Sequence, residues 1–188
     1  MSAYADDVRL REDQLRLGLW MFLATVTMLF AAFTSAYVVR RSGSDWHHVA
    51  LPSTLWLNTV LLAASSVAVE IANREGLRRR WRGAAISMTA AVAFGVAFLA
   101  GQVFAWRQMV ALGVYLPSSP HSSFFFMLTG AHAVHVVAAL AVLMWGLANT
   151  RGAWTNPRAW AARLDLCRTF WHFLGGVWLF LFALVSLY

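Results

Sequence analysis

Two histidines in the stretch LTGAHAVHVV, residues 128–137, are the side chains of this sequence best suited to chemistry. His132 and His135 stand three positions apart in an otherwise apolar run, so a helix places them on one face, about a turn apart. Imidazole is a common ligand of metals and of haem. The axial ligands of one haem approach from opposite sides of its ring, however, and two histidines on one helix face cannot do that together. A haem would need one of them with His121 or His172. Zinc needs three or four donors; the only cysteine, Cys167, is poorly placed and carboxylates are scarce. The plainer reading is a polar cluster that hydrogen-bonds between helices or to lipid and water. Proton or lipid handling stands open beside it.

The elements that must carry these histidines are membrane helices. Of 188 residues 60% are hydrophobic and 12% charged, against roughly 25% charged in a soluble domain, and the mean hydropathy is +0.60. Five segments reach the ~20 apolar residues that a bilayer core requires: approximately 17–39, 54–73, 84–106, 121–148 and 167–188. The expected fold is all-α, a bundle of five transmembrane helices in a single membrane domain, 1–188, preceded by a polar tail, 1–16. That tail, MSAYADDVRLREDQLR, lacks the short apolar core and small-residue cleavage site of a secretory signal, so the first span is read as retained. A barrel is excluded, because its strands would alternate apolar and polar residues. Small residues in AAFTSA, LLAASS and AAVAFG let helix backbones approach closely.

The net charge of +7 comes from 15 arginines and no lysine. They lie between apolar runs and not along one solvated face, which argues against nucleic acid and for a topology signal. Twelve fall on one side: Arg9, Arg11 and Arg16, then Arg74, Arg78, Arg79, Arg80 and Arg82, then Arg151, Arg158, Arg163 and Arg168. Three fall on the other: Arg40, Arg41 and Arg107. The positive-inside rule therefore places the N-terminus in the cytoplasm and the C-terminus outside. Arg78, Arg79, Arg80 and Arg168, near tryptophans at the cytoplasmic headgroup level, are candidate contacts for anionic lipid; topology alone accounts for them equally well.

Polar residues inside spans are functional candidates, since unpaired polar groups are costly there. Asn58, Gln102, His132, His135 and His172, with the neighbouring Trp171, form the candidate structural polar cluster. Glu70 lies near a cytoplasmic helix end and is expected to snorkel or to pair with Arg74 at i+4. The other four spans hold no internal carboxylate, and hydrolase, P-loop and dinucleotide motifs are missing.

Four motifs in order carry a resemblance. LGLWMFLATVTMLFAAFTSAYVVRR in the first span, LPSTLWLNTVLLAASSV in the second, FFFMLTGAHAVHVV in the fourth and WHFLGGVWLFLF in the fifth are similar to patterns of subunit III of haem–copper terminal oxidases. The chain resembles the short, five-helix bacterial form of that cytochrome c oxidase subunit III family. Three carboxylates usual in the family are replaced, by Val26, Ala105 and Gly175, and a proton-relay role through them is not carried over.

The resemblance implies a non-catalytic subunit of a proton-translocating respiratory oxidase. No catalytic, cofactor-binding or metal-binding residue is expected in this chain. Haem and copper belong to partner subunits, a haem-bearing subunit I and a copper-bearing subunit II. The subunit would stabilise subunit I and bind structural phospholipid in a bacterial inner membrane; membership of a larger respiratory supercomplex is left open by the sequence. Two alternatives stand: an accessory subunit of a nitric oxide reductase, or a small membrane haem-binding protein.

Overall fold

A computed structural model describes the backbone of residues 2–43, 46, 51–148 and 157–187, and side chains over 13–43, 46, 51–148 and 160–187. Arg9, Arg11, Arg151 and Arg158, counted above for topology, lie outside the residues whose side chains are described. The described residues form five helices and no strand: α1 (Ser2–Arg41), α2 (Thr54–Leu77), α3 (Trp81–Ala111), α4 (Pro120–Ala148) and α5 (Pro157–Leu187). Each is long and apolar enough to cross a membrane, so the chain is an all-α, multi-pass membrane protein.

Most helices outrun their apolar stretches. Hydrocarbon demands apolar residues, but a helix continues past them wherever good helix formers follow. The Arg-, Glu- and Gln-containing start of the chain is therefore helical and continuous with the first span, and α1 reaches about 60 Å at 1.5 Å per residue. α5 begins at Pro157, ten residues before its apolar run; proline suits a first helical turn, where its missing N–H has no partner to lose. Between α2 and α3 only Arg78, Arg79 and Arg80 remain. There the Arg79 N–H donates to the Gly76 carbonyl and the Arg80 N–H to the Glu75 carbonyl, a reversal that needs a left-handed residue. Arg79 supplies it at φ 57°. Gly113 does the same after α3, at φ 77°.

Inward positions repeat every three and four residues: Leu23, Val26, Phe30 and Tyr37 on α1, and Ala84, Met88, Ala91, Gly95, Phe98, Gln102, Ala105 and Met109 on α3. That 3.5-residue period keeps a seam facing its neighbour along a left-handed packing. α2 packs on α3, α3 on α4, α4 on α5 and α5 back on α2, closing a four-helix ring. α1 lies outside the ring and touches only α4 and α5 among the described residues. Tryptophans fill the ring, with Trp171 and Trp178 both 1% exposed. Cys167, on α5, is buried as a small apolar group.

Candidate functional site: polar groups inside the bundle

The ring distributes the candidate polar residues over four separate places. The first is the α2–α3 seam. There the Asn58 amide donates to the Gln102 side-chain oxygen at 3.4 Å, both side chains sealed from the surface. Thr54 donates to Gln108 at 2.8 Å on one flank of this pair, and Ser65 to the Ala91 carbonyl at 2.8 Å on the other. Asn58 fits because residue 101 is glycine: a Cβ there would overlap the Asn58 side-chain oxygen.

The second place is the ring centre. His132 is fully buried, with Trp178 at 5.4 Å, Phe98 at 6.0 Å and Phe30 at 6.4 Å between ring centroids. Neither of its ring nitrogens reaches a protein hydrogen-bond partner. Trp178 lies over it and donates its indole N–H to Thr59 at 3.0 Å. Trp171, two turns back along α5, packs against Gly95 of α3. The third place is the α1–α4 seam, where His135 packs on Phe30 at 5.7 Å and Phe22 at 6.4 Å. Its Nδ1 lies 2.7 Å from the Ala131 carbonyl; a carbonyl only accepts, so Nδ1 carries the proton.

The fourth place is a charged rim joining three helices. Arg168 of α5 donates to Glu70 of α2 at 3.1 Å and to Asp165 at 2.7 Å. Arg74 reaches the other Glu70 oxygen at 3.2 Å, the i+4 pair expected from sequence, and Arg16 of α1 lies 3.8 Å from Asp165. His172, one turn along α5 from Arg168, has Nε2 4.0 Å from Glu70. The guanidinium of Arg168 is thus engaged within the bundle. Of the other arginines named for lipid, Arg78 and Arg80 each stand 3.9 Å from Glu75, and Arg79 makes no ion pair among the described residues.

The six cluster residues therefore do not converge. Asn58 meets Gln102; His132 and His135 share Phe30 but face different compartments; His172 belongs to the rim; Trp171 stands by Gly95. Among the described residues no three His, Cys, Asp or Glu side chains gather as a metal site would require. Sequence reasoning passed over Thr59 and Trp178, which line the centre, and Asp165, whose i+3 spacing to Arg168 was a readable signal. Two of the three positions where the resemblance leads one to expect a carboxylate fall in seams: Val26 is 2% exposed and Ala105 fully buried. Each seam position takes an apolar residue without an unpaired charge. Gly175 sits beside a cavity of 390 Å³ lined by Thr59, Ser66 and His172, with Ser66 Oγ 3.6 Å from where a Cβ would lie.

The rim makes a direct prediction. Arg168→Gln leaves Glu70 to Arg74 and His172, and Asp165 to the longer contact with Arg16, and the partly exposed setting limits the loss to about 1 kcal/mol. Denaturant titration of the purified complex measures it. Arg79→Gln, without an ion pair to lose, serves as the comparison and should be silent.

Comparison with known proteins gives one consistent result. The family model described as cytochrome c oxidase subunit III matches residues 5–188. The cytochrome c oxidase subunit 3 of Corynebacterium diphtheriae is 31% identical over 93% of this chain and 88% of its own length. That of Alkalihalophilus pseudofirmus is 30% identical over 91% of this chain and 85% of its own. The cytochrome bo(3) ubiquinol oxidase subunit 3 of Pseudomonas putida is 29% identical over 91% and 84%.

Proposed function

The chain belongs to the cytochrome c oxidase subunit III family, and from that premise we propose that it packs against a haem-bearing subunit I and a copper-bearing subunit II in a bacterial plasma membrane. As a family member it is a non-catalytic subunit of a haem–copper oxidase, and the reductase and haem-protein alternatives are not favoured by its relatives. The match from residue 5 to residue 188, across all five helices, is the single observation that carries the reading.

In this reading the subunit contributes packing area and a lipid-facing surface, while redox chemistry and proton translocation belong to its partners. The arginine distribution supports an N-terminus in the cytoplasm and a C-terminus outside. Arg78, Arg79 and Arg80 then lie at the headgroup level of the cytoplasmic leaflet, where anionic phospholipid is attracted by about 1 kcal/mol per arginine. Membership of a larger respiratory supercomplex belongs to the same proposal. The relatives carry both cytochrome c oxidase and ubiquinol oxidase names, which supports a subunit compatible with either electron donor.

Affinity purification of the tagged chain from its native membranes, in mild detergent, tests the proposal. Subunits I and II are expected to accompany it, with haem remaining on subunit I when the subunits are separated. Partners of a nitric oxide reductase alone, or haem retained by the separated chain, would overturn it.

A further inference from the structure

The seam between α2 and α5 changes character along its length. α2 carries Glu70, Ser66 and Thr59 along one stripe, and α5 carries Arg168, His172 and Gly175 along the stripe that meets it. At one end stands the charged rim, where Arg168 holds Glu70 and His172 Nε2 lies 4.0 Å from the same carboxylate. Behind the rim the seam opens into the cavity of 390 Å³ that His172, Ser66 and Thr59 line. Gly175 and Gly176 hollow its α5 wall by withholding side chains; a Cβ at Gly176 would meet nothing within 4 Å. Trp178, donating to Thr59 at 3.0 Å, stands at the inner end. From Ser66 to Thr59 the cavity follows α2 for about 10 Å, at 1.5 Å per residue.

Two features decide what fills it. Stretched over about 10 Å, 390 Å³ leaves a cross-section of roughly 40 Å², about half of what a helix 10 Å across occupies. The cavity is too narrow for a transmembrane helix. The second feature is an unused hydroxyl. Thr27, Thr34 and Thr129 each return theirs to the carbonyl four residues back, whereas the Ser66 hydroxyl makes no hydrogen bond among the described residues. A hydroxyl left unpaired in hydrocarbon is costly, and an acyl chain offers it neither donor nor acceptor. Water offers both. The cavity has room for about ten molecules at roughly 30 Å³ each, and the ion pairs of the rim supply a wet mouth.

We propose that the α2–α5 cavity is a water-filled inlet, entered at the Glu70–Arg168–His172 rim and ending at Thr59 and Trp178. Its water hydrogen-bonds Ser66 and His172 and carries hydration about 10 Å past the rim into the bundle. Trp178 separates the inlet from the buried His132, whose ring lies 5.4 Å beyond the indole. The inference goes beyond the oxidase reading, and it takes from the arginine topology only the side, cytoplasmic, from which water enters.

The test uses the assembled complex in inside-out membrane vesicles. Cys167→Ala is the background, since it removes the only cysteine of the chain. A small cationic methanethiosulfonate that does not cross membranes is added to the cytoplasmic side, and labelling is read from the mass of the separated chain. The reagent attacks the thiolate, which forms in water and is suppressed in apolar surroundings. Ser66→Cys should therefore react about tenfold faster, or more, than Val67→Cys, its neighbour with 59% exposure. Equal rates, as an acyl chain or a partner side chain in the cavity would give, overturn the proposal, and so does labelling from the outer side only. Gly176→Leu places a side chain where a Cβ meets no atom and should plug the cavity, slowing the Ser66→Cys reaction by about tenfold. Gly176→Ala, a smaller plug, should give an intermediate rate and covers the case in which leucine disturbs assembly. Unchanged rates in the plugged chains overturn the route through this cavity.

Discussion

Trp178→Ala should destabilise the bundle by about 2–4 kcal/mol, toward the lower part of the range for truncating a buried aromatic. The discount has a physical reason. The alternative solvent for an apolar side chain here is hydrocarbon, so what is lost is packing and not transfer from water. Trp178 is 1% exposed, contacts Phe98 edge to face at 4.9 Å, covers His132 and holds Thr59 of α2 through its indole. The truncation opens a hole where α2, α3, α4 and α5 meet. Trp178→Phe keeps most of the volume and loses one hydrogen bond, and Thr59 still has the Leu55 carbonyl at 2.9 Å, so its cost should stay near 0.6 kcal/mol. Unfolding of the detergent-solubilised complex by a denaturing surfactant orders the variants. Leu179→Ala, one position on and 56% exposed, provides the reference, and a Trp178→Ala protein as stable as that one would contradict the role assigned to the ring.

How much of this could be read in advance differs residue by residue. The five spans were legible because hydrocarbon imposes a composition that no other environment demands. Their helical ends were not: Arg, Glu, Gln and Leu are good helix formers both inside and outside the membrane. The turn at Arg79 was hidden because glycine is the usual signal for a left-handed residue, and three arginines in a row give none. Glu70 was half legible. Its i+4 partner Arg74 is a local pattern, whereas Arg168 lies 98 residues away and is brought in only by the α2–α5 contact. The histidine pair shows the same limit on a smaller scale. Three residues rotate a helix by about 60° short of a full turn. That is close enough to share Phe30, and far enough to send His132 into the ring and His135 to the seam with α1.

The glycines carry the remaining information, because in a membrane close backbone approach replaces the hydrophobic drive between helices. Gly101→Ala should cost about 1–3 kcal/mol, the range for forcing one extra group into a packed interior. The new methyl would occupy the place of the Asn58 side-chain oxygen. Asn58 cannot move freely, since its amide is committed to Gln102 in a seam closed on both flanks by Thr54–Gln108 and Ser65–Ala91. Either the pair breaks, leaving polar groups of two sealed side chains unsatisfied, or α2 and α3 move apart along their most extensive contact. Gly130→Ala makes the opposite prediction. Nothing lies within 4 Å of a Cβ there, and alanine is the better helix former by about 1 kcal/mol, so that variant should be as stable as wild type or more so. The two substitutions are chemically identical, both lie within helices, and both add one methyl to a small-residue stretch. Equal unfolding midpoints for the two would show that the α2–α3 seam yields where its hydrogen bonds say it cannot; a lower midpoint for Gly101→Ala alone locates the close approach at Asn58.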